Sequence, residues 1–210
     1  MTVVALSAAY GAAGSRIGPL LAERLDVPFV DRAIAIAVAE RLDISVQAAI
    51  AEEERGGPSL LERMLAGFAG AYTGAPAALP AEAITPADFH RASREALLAQ
   101  AQTGRGVILG RGACAALRED PSVLRVRLTG PVERRVEQAA AARGIDRETA
   151  RRALRALDRA HADYVRRFYD MDIDDPANYH MTLDATAFSV EACVDIIEIA
   201  ARELNAQSPR

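Results

Sequence analysis

Lysine is missing from this chain. All 25 basic residues are arginine, which excludes any mechanism built on a lysine amine, including the lysine of a GxxxxGK[ST] phosphate loop. Tryptophan is absent too, and aromatics make up only 5% of the residues. Cysteine is confined to Cys114 and Cys193, too few and too far apart for a disulfide framework or a CxxC site, so the reading is an intracellular, cytoplasmic protein. No run approaches the ~20 apolar residues of a membrane span, and Met1-Thr2-Val3-Val4-Ala5-Leu6 carries no basic leader or cleavage-type signal, so no membrane partner is expected. With 25 basic against 29 acidic residues and a net charge of −4, the chain is not a binder of nucleic acid polymers. Ser7 and Cys114 have no base at a recognisable spacing, which leaves nucleophilic catalysis without support.

What is present is a chain of 210 residues, 50% of them hydrophobic, enough for one large globular domain over 1–205. Alanine supplies 45 positions, which favour helix without filling much core. Short β-branched runs alternate with long helical patterns, the signature of βαβ units and a parallel sheet. Strands are expected at Val3 to Ser7, Val107 to Leu109, Leu124 to Thr129 and Thr182 to Asp184, while Val27 to Val30 reads as a second strand or an extended connection. Helices are expected at about 15–25, from Asp31 to Leu42, after Thr85-Pro86, from Pro131 and over Asp146 to Tyr169. A last one follows Ser189, with Val190, Cys193, Val194, Ile197, Ala201 and Leu204 repeating near 3.6. The Gly/Pro/Ala-rich stretch 55–84 reads as a loosely packed insertion, and 205–210 as a disordered tail.

The turn Tyr10-Gly11-Ala12-Ala13-Gly14-Ser15-Arg16 joins the first strand to the first helix. At that place in an α/β sheet, backbone N–H groups and the helix dipole favour a phosphate. Spacing alone leaves a second reading open, that these glycines only make a tight turn. The turn is neither GxGxxG nor a lysine-bearing loop.

That turn is followed in order by Phe29-Val30-Asp31, by Val107 to Ala113 with Gly110-Arg111-Gly112, and by Leu124 to Val136. Asp158-Arg159-Ala160-His161-Ala162-Asp163-Tyr164 and Asp175 to Asp184 come next. In this succession the chain resembles the cytidylate kinase-like family, a branch of the P-loop nucleoside monophosphate kinases, over nearly its whole length. The resemblance implies a three-layer α/β/α P-loop kinase fold with a five-stranded parallel sheet. It implies a helical insertion on the acceptor side over about 43–103 and an arginine-rich helical lid over about 146–170. It also implies magnesium-dependent transfer of a phosphoryl group from a nucleoside triphosphate such as ATP to a nucleoside monophosphate, with CMP the leading acceptor.

Phosphoryl transfer needs positioning and charge neutralisation more than covalent chemistry. By the resemblance, Gly11, Ala12, Ala13, Gly14, Ser15 and Arg16 would hold nucleotide phosphates, and Ser15 would place magnesium. Arg16, Arg159 and Arg166 would be the catalytic cations, the last two closing from the lid, while Asp31 and Arg111 would address the acceptor. Each has a plainer alternative: Asp31 as a helix cap, Arg111 as a surface ion pair, Arg159 and Arg166 as part of a solvated helix laced by Asp158 and Asp163. Aligned on a lysine-bearing loop, Gly14 stands where the lysine belongs. Two functions therefore remain open, an active kinase or a nucleotide-binding or regulatory protein that keeps the fold with weak or no transfer. A turn that binds only a small phosphorylated metabolite leaves the arginines idle. His90, His161 and His180 have no metal spacing and are expected at surface or lid positions, Asp184 as a cap or turn, and Arg134 and Arg135 as mainly structural.

Overall fold

The computed structural model describes residues 2–30, 86–110 and 112–207. Asp31, Arg111, the helix to Leu42, the stretch 55–84 and residues 208–210 lie outside the described residues, as does most of the 43–103 insertion. Within those described are strands β1 (Thr2–Ala8), β2 (Phe29–Val30), β3 (Arg105–Leu109), β4 (Val123–Thr129) and β5 (Met181–Asp184). The helices are α1 (Gly14–Leu25), α2 (Pro86–Gln102), α3 (Ala113–Ala116), α4 (Val132–Arg143), α5 (Arg147–Tyr169) and α6 (Val190–Gln207). Every pairing is parallel and the sheet order is β2-β3-β1-β4-β5, the five-stranded α/β architecture expected.

Central β1 is covered on both faces, which is why it reads as a continuous apolar run rather than an alternation. Val3 and Ala5 face a core shared with Leu97 of α2, Cys114 of α3 and Tyr164 and Val165 of α5. Val4 and Leu6 face Ile17 and Leu21 of α1 and Cys193, Val194 and Ile197 of α6. A third cluster, Val136 and Ala139 with Ala150 and Leu154, joins α4 to α5.

Three local features differ from the sequence reading. Pro131 precedes α4 rather than starting it, because its ψ of 136° is extended. The short α3 was not expected; it follows Gly112, whose φ of 69° sets its entry. α6 continues through Gln207 into the stretch expected as a tail, where the Asn205 side-chain amide donates to the Thr2 hydroxyl and ties the helix to the start of β1.

α5 is one continuous helix of 23 residues. Asp146 caps it by accepting from the Thr149 N–H at 2.8 Å, and it buries Ala150, Leu154, Ala160, Tyr164 and Val165. Its arginines occupy the remaining surface. The chain leaves β1 toward β2 on one side of the sheet and leaves β3 toward β4 on the other. The crevice outside the carboxyl ends of β1 and β3 is thus the topological switch point, where such sheets bind ligands.

Candidate functional site

The loop after β1 opens at that switch point. The Ala9 N–H still pairs with the Leu128 carbonyl of β4 at 2.9 Å, and the Ala12 N–H returns to the Ala9 carbonyl at 3.0 Å, closing a turn. Gly11, the third residue of that turn, has a φ of 79°, which such a turn reserves for glycine. Ala13 then adopts a left-handed conformation, with φ 54° and ψ 19°, as the N-cap of α1. Alternating backbone handedness of this kind makes a concave nest of N–H groups. Among the described residues, the N–H groups of Gly11, Ala13, Gly14 and Ser15 have no acceptor, whereas those of Ala9, Tyr10, Ala12, Arg16 and Ile17 do. Four open donors at the positive end of a helix dipole form a cradle for an anion.

The back of the loop is built from distant parts of the chain. The Tyr10 N–H donates to Asp158 Oδ1 of α5 at 2.9 Å. Arg135 of α4 donates from Nη1 to Asp158 Oδ2 at 2.6 Å and to the Tyr10 carbonyl at 3.0 Å, and from Nε to the Gly130 carbonyl at 2.9 Å. The side chain of Arg135 is 8% exposed and that of Asp158 29%, so removing Asp158 would leave a nearly buried guanidinium without its counter-charge and destabilise the fold. Asp158 therefore faces the loop rather than lacing the surface of its helix, and Arg135 is structural in a specific way: it supports the loop from beneath. Its own carbonyl fills the space where a Gly11 Cβ would stand, 2.3 Å away.

The remaining residues singled out by the sequence are placed as follows. Gly11, Ala12, Ala13 and Gly14 form the loop and the first turn of α1, with Ala12 fully buried beneath it. Ser15 and Arg16 project from that turn into solvent. Arg159 and Arg166 lie on the exposed side of α5; Arg159 is 86% exposed and meets Asp163 at 3.7 Å. Arg147 and Arg151 are engaged by Glu133 of α4, with Arg151 at 2.5 Å. Asp184 turns back on Thr186, accepting from its N–H at 2.9 Å and its hydroxyl at 2.6 Å. No cluster of His, Cys, Asp and Glu suited to a metal occurs among the described residues, and none of their helices is long and apolar enough to cross a membrane.

The model of the cytidylate kinase-like family matches residues 3–187. The chain belongs to that family. No curated protein matches it. Among solved structures, an uncharacterized protein from Eubacterium ventriosum ATCC 27560 superposes with a TM-score of 0.66 at 16% identity, covering 96% of this chain and 99% of that one. A shikimate kinase from Bacteroides thetaiotaomicron gives 0.53 at 16% identity, covering 96% and 98%. A gluconokinase from Sinorhizobium meliloti 1021 gives 0.51 at 16% identity, covering 99% and 98%. At these identities the likeness establishes the P-loop kinase fold.

Beside the loop, this cytidylate kinase-like chain carries a partly buried polar cluster that sequence reading missed. Arg127 of β4, 8% exposed, donates to the Ser7 hydroxyl at 3.0 Å and to Asp174 at 2.9 Å. His161 of α5 and Tyr179 close over Ser7, Gly110 and Gly112, leaving a crevice too narrow for a water molecule. His161 is thus half-buried on α5, turned toward Ser7 rather than fully exposed. Burial, and then the Arg127 guanidinium, push its imidazole from 6.5 down to about 4. Cys114 beneath is pushed up to about 12 by burial, which agrees with its exclusion as a nucleophile.

The His161 shift has a signed consequence. The folded value lies below the unfolded one, so as pH falls the unfolded chain takes the proton first. His161 leaves stability intact above about pH 6.5 and removes it progressively down to about pH 4. The loss amounts to roughly 3 kcal/mol. His161→Gln should flatten the fall in urea midpoint between pH 7 and 4.5 relative to the unsubstituted protein. An equal slope in both proteins would show that carboxylates alone carry the acid sensitivity.

Proposed function

We propose that this protein is a nucleotide kinase of the cytidylate kinase-like type, transferring a phosphoryl group from a nucleoside triphosphate such as ATP to a nucleoside monophosphate, with CMP the leading acceptor. The observation that carries the reading is the set of four N–H groups, from Gly11, Ala13, Gly14 and Ser15, that have no acceptor among the described residues and lie at the switch point of the sheet. These would bind the donor phosphates, with Arg16 beside them. The Ser15 hydroxyl suits a magnesium ion that arrives with the nucleotide, since that cation keeps most of its ligands as water and phosphate oxygens. Arg159 and Arg166 would come to the transferring group from α5, adding charge where it develops. Asp31 and Arg111 are assigned to the acceptor.

One specific observation favours a second reading, nucleotide binding with little transfer. At Gly14, where the lysine belongs, an added Cβ would lie 2.5 Å from the Ala8 Cβ, so this loop is packed for a residue with no side chain. A coupled assay with ATP and each common monophosphate, run beside calorimetric titration of ATP and CMP, separates the two. Turnover with one monophosphate well above the others supports the kinase; binding without turnover selects the second reading. As a graded check, Arg159→Ala should lower turnover at least tenfold while Arg152→Ala, which meets Glu148 on the same helix, leaves it within twofold. Equal effects would mean that only the general charge of α5 matters.

A further inference from the structure

The four open donors keep their direction only if the peptide before them is fixed. Within the loop itself little fixes it. The Ala9-to-Ala12 turn spans Tyr10 and Gly11 with one hydrogen bond of 3.0 Å, and Gly11 is the residue most free to change its backbone angles. The clamp comes from outside. Asp158 takes the Tyr10 N–H through one oxygen and Arg135 through the other, and Arg135 in turn holds the Tyr10 carbonyl. Both backbone polar groups of Tyr10 are therefore held by a single ion pair whose members come from two different helices. The Arg135 backbone carbonyl closes the other side of Gly11.

A carboxylate behind an anion cradle would by itself oppose phosphate. Here its charge is balanced by the guanidinium 2.6 Å away, so the pair adds geometry to the loop while adding almost no net charge. Asp158 lies in the same helix as Arg159 and Arg166, with the deeply buried Ala160, Tyr164 and Val165 following it. The docked position of α5 and the shape of the loop are in this way mechanically joined.

We propose that Asp158, its charge balanced by Arg135, is a positioning residue of the phosphate site, accepting from the Tyr10 N–H so that the N–H groups of Gly11, Ala13, Gly14 and Ser15 point at one anion. The proposal rests on the reading of the loop as a phosphate site. It assigns the pair no contact with the nucleotide.

Charge-balanced double variants test this, because removing both partners leaves the net charge unchanged. In D158L/R135M the pair is replaced by apolar groups of similar volume and the Tyr10 N–H loses its acceptor. In D158N/R135M the shape is the same but the side-chain carbonyl of position 158 can still accept from Tyr10. The probes are inorganic pyrophosphate and ADP with magnesium, titrated calorimetrically against the full chain, with circular dichroism confirming the fold and amide exchange read at Tyr10. The expected result is at least a tenfold loss of affinity for both probes in D158L/R135M, faster exchange at Tyr10, and affinity within threefold of the unsubstituted protein in D158N/R135M. Should D158L/R135M not fold, D158S/R135M, whose shorter side chain withdraws the acceptor, takes its place with the same expectation. Undiminished binding in the variant without an acceptor overturns the proposal, and so does an equal loss in both double variants, which would make the pair a general structural support. If the unsubstituted protein binds neither probe, the phosphate-site reading itself falls and takes this inference with it. That result is visible before any variant is made.

Discussion

Gly11→Ala should unfold the protein at a markedly lower temperature and abolish pyrophosphate binding in what remains folded. Two costs combine at this position. The backbone sits at a φ of 79°, where an alanine is strained, and the new Cβ would lie 2.3 Å from the Arg135 carbonyl oxygen and 2.9 Å from its carbon. A main-chain carbonyl in α4 cannot rotate away as a side chain can, so the loop and the start of α4 must separate. The strain alone is worth about 1–2 kcal/mol, and with the clash the loss should reach about 3 kcal/mol or more. For a chain of this size that corresponds to a fall in Tm of roughly 6–12 °C. Gly144→Ala is the matched control: its φ is 64°, but no atom lies within 4 Å of the added Cβ. It carries the strain without the collision and should cost about 1–2 kcal/mol, with pyrophosphate affinity unchanged. If the two substitutions cost the same, the close approach of α4 to the loop contributes nothing.

That contrast also shows where sequence reading stops. β1, the glycine turn and α1 were legible because each is specified locally, by an apolar run, by glycines at a strand end and by a helical period. The stripe of α6 was legible for the same reason, and the residues expected to face the sheet, among them Cys193, Val194 and Ile197, are buried there. The supports of the site are another matter. Tyr10 and Asp158 are 148 residues apart, and Ser7 and Arg127 are 120 apart. No spacing rule connects such partners, since they meet only after the sheet has brought β1 beside β4 and α5 has docked against it. One signal was available for Arg135. A basic residue in the first turn of a helix opposes the helix dipole and needs an acidic partner, and Asp158 is that partner. For Arg127 the available signal was a charged residue in an otherwise apolar central strand, which must be paired if it is buried. His161 gave no signal at all, because a polar residue on an arginine-rich helix looks solvated until the opposite face is seen to be buried.

Restoring the missing lysine alone should fail, and restoring it together with a smaller neighbour should succeed. Counting back from Ser15 as the hydroxyl of GxxxxGK[ST], position 14 is the lysine and position 8 the first glycine. The chain has the reverse sizes, with Ala8 carrying a methyl and Gly14 none. The two positions touch: a Cβ on residue 14 would meet the Ala8 Cβ at 2.5 Å and a Leu109 methyl at 3.2 Å. Leu109 can change rotamer, but Ala8 is the last residue of a central strand and cannot move without the sheet. Gly14→Lys should therefore cost about 1–3 kcal/mol in overpacking. A further 0.3–1 kcal/mol, roughly, comes from placing a cation at a helix N-terminus, in the absence of a bound phosphate. Ala8→Gly alone should cost about 1 kcal/mol for a lost methyl and a freer backbone. The double substitution removes the colliding atom, so the two costs should fail to add, by about 1–2 kcal/mol in its favour. The functional arm is separate. If the vacancy at Gly14 is what limits transfer, A8G/G14K should turn over ATP with its preferred monophosphate at least tenfold faster than the unsubstituted protein, equivalent to about 1.4 kcal/mol of barrier. G14K alone should gain little, because its loop is displaced. A stable G14K single variant would refute the packing argument. A stable double variant with no gain in rate would mean that the loop amides and the arginines already supply the charge that a lysine gives elsewhere, and that the absence of lysine costs this site nothing.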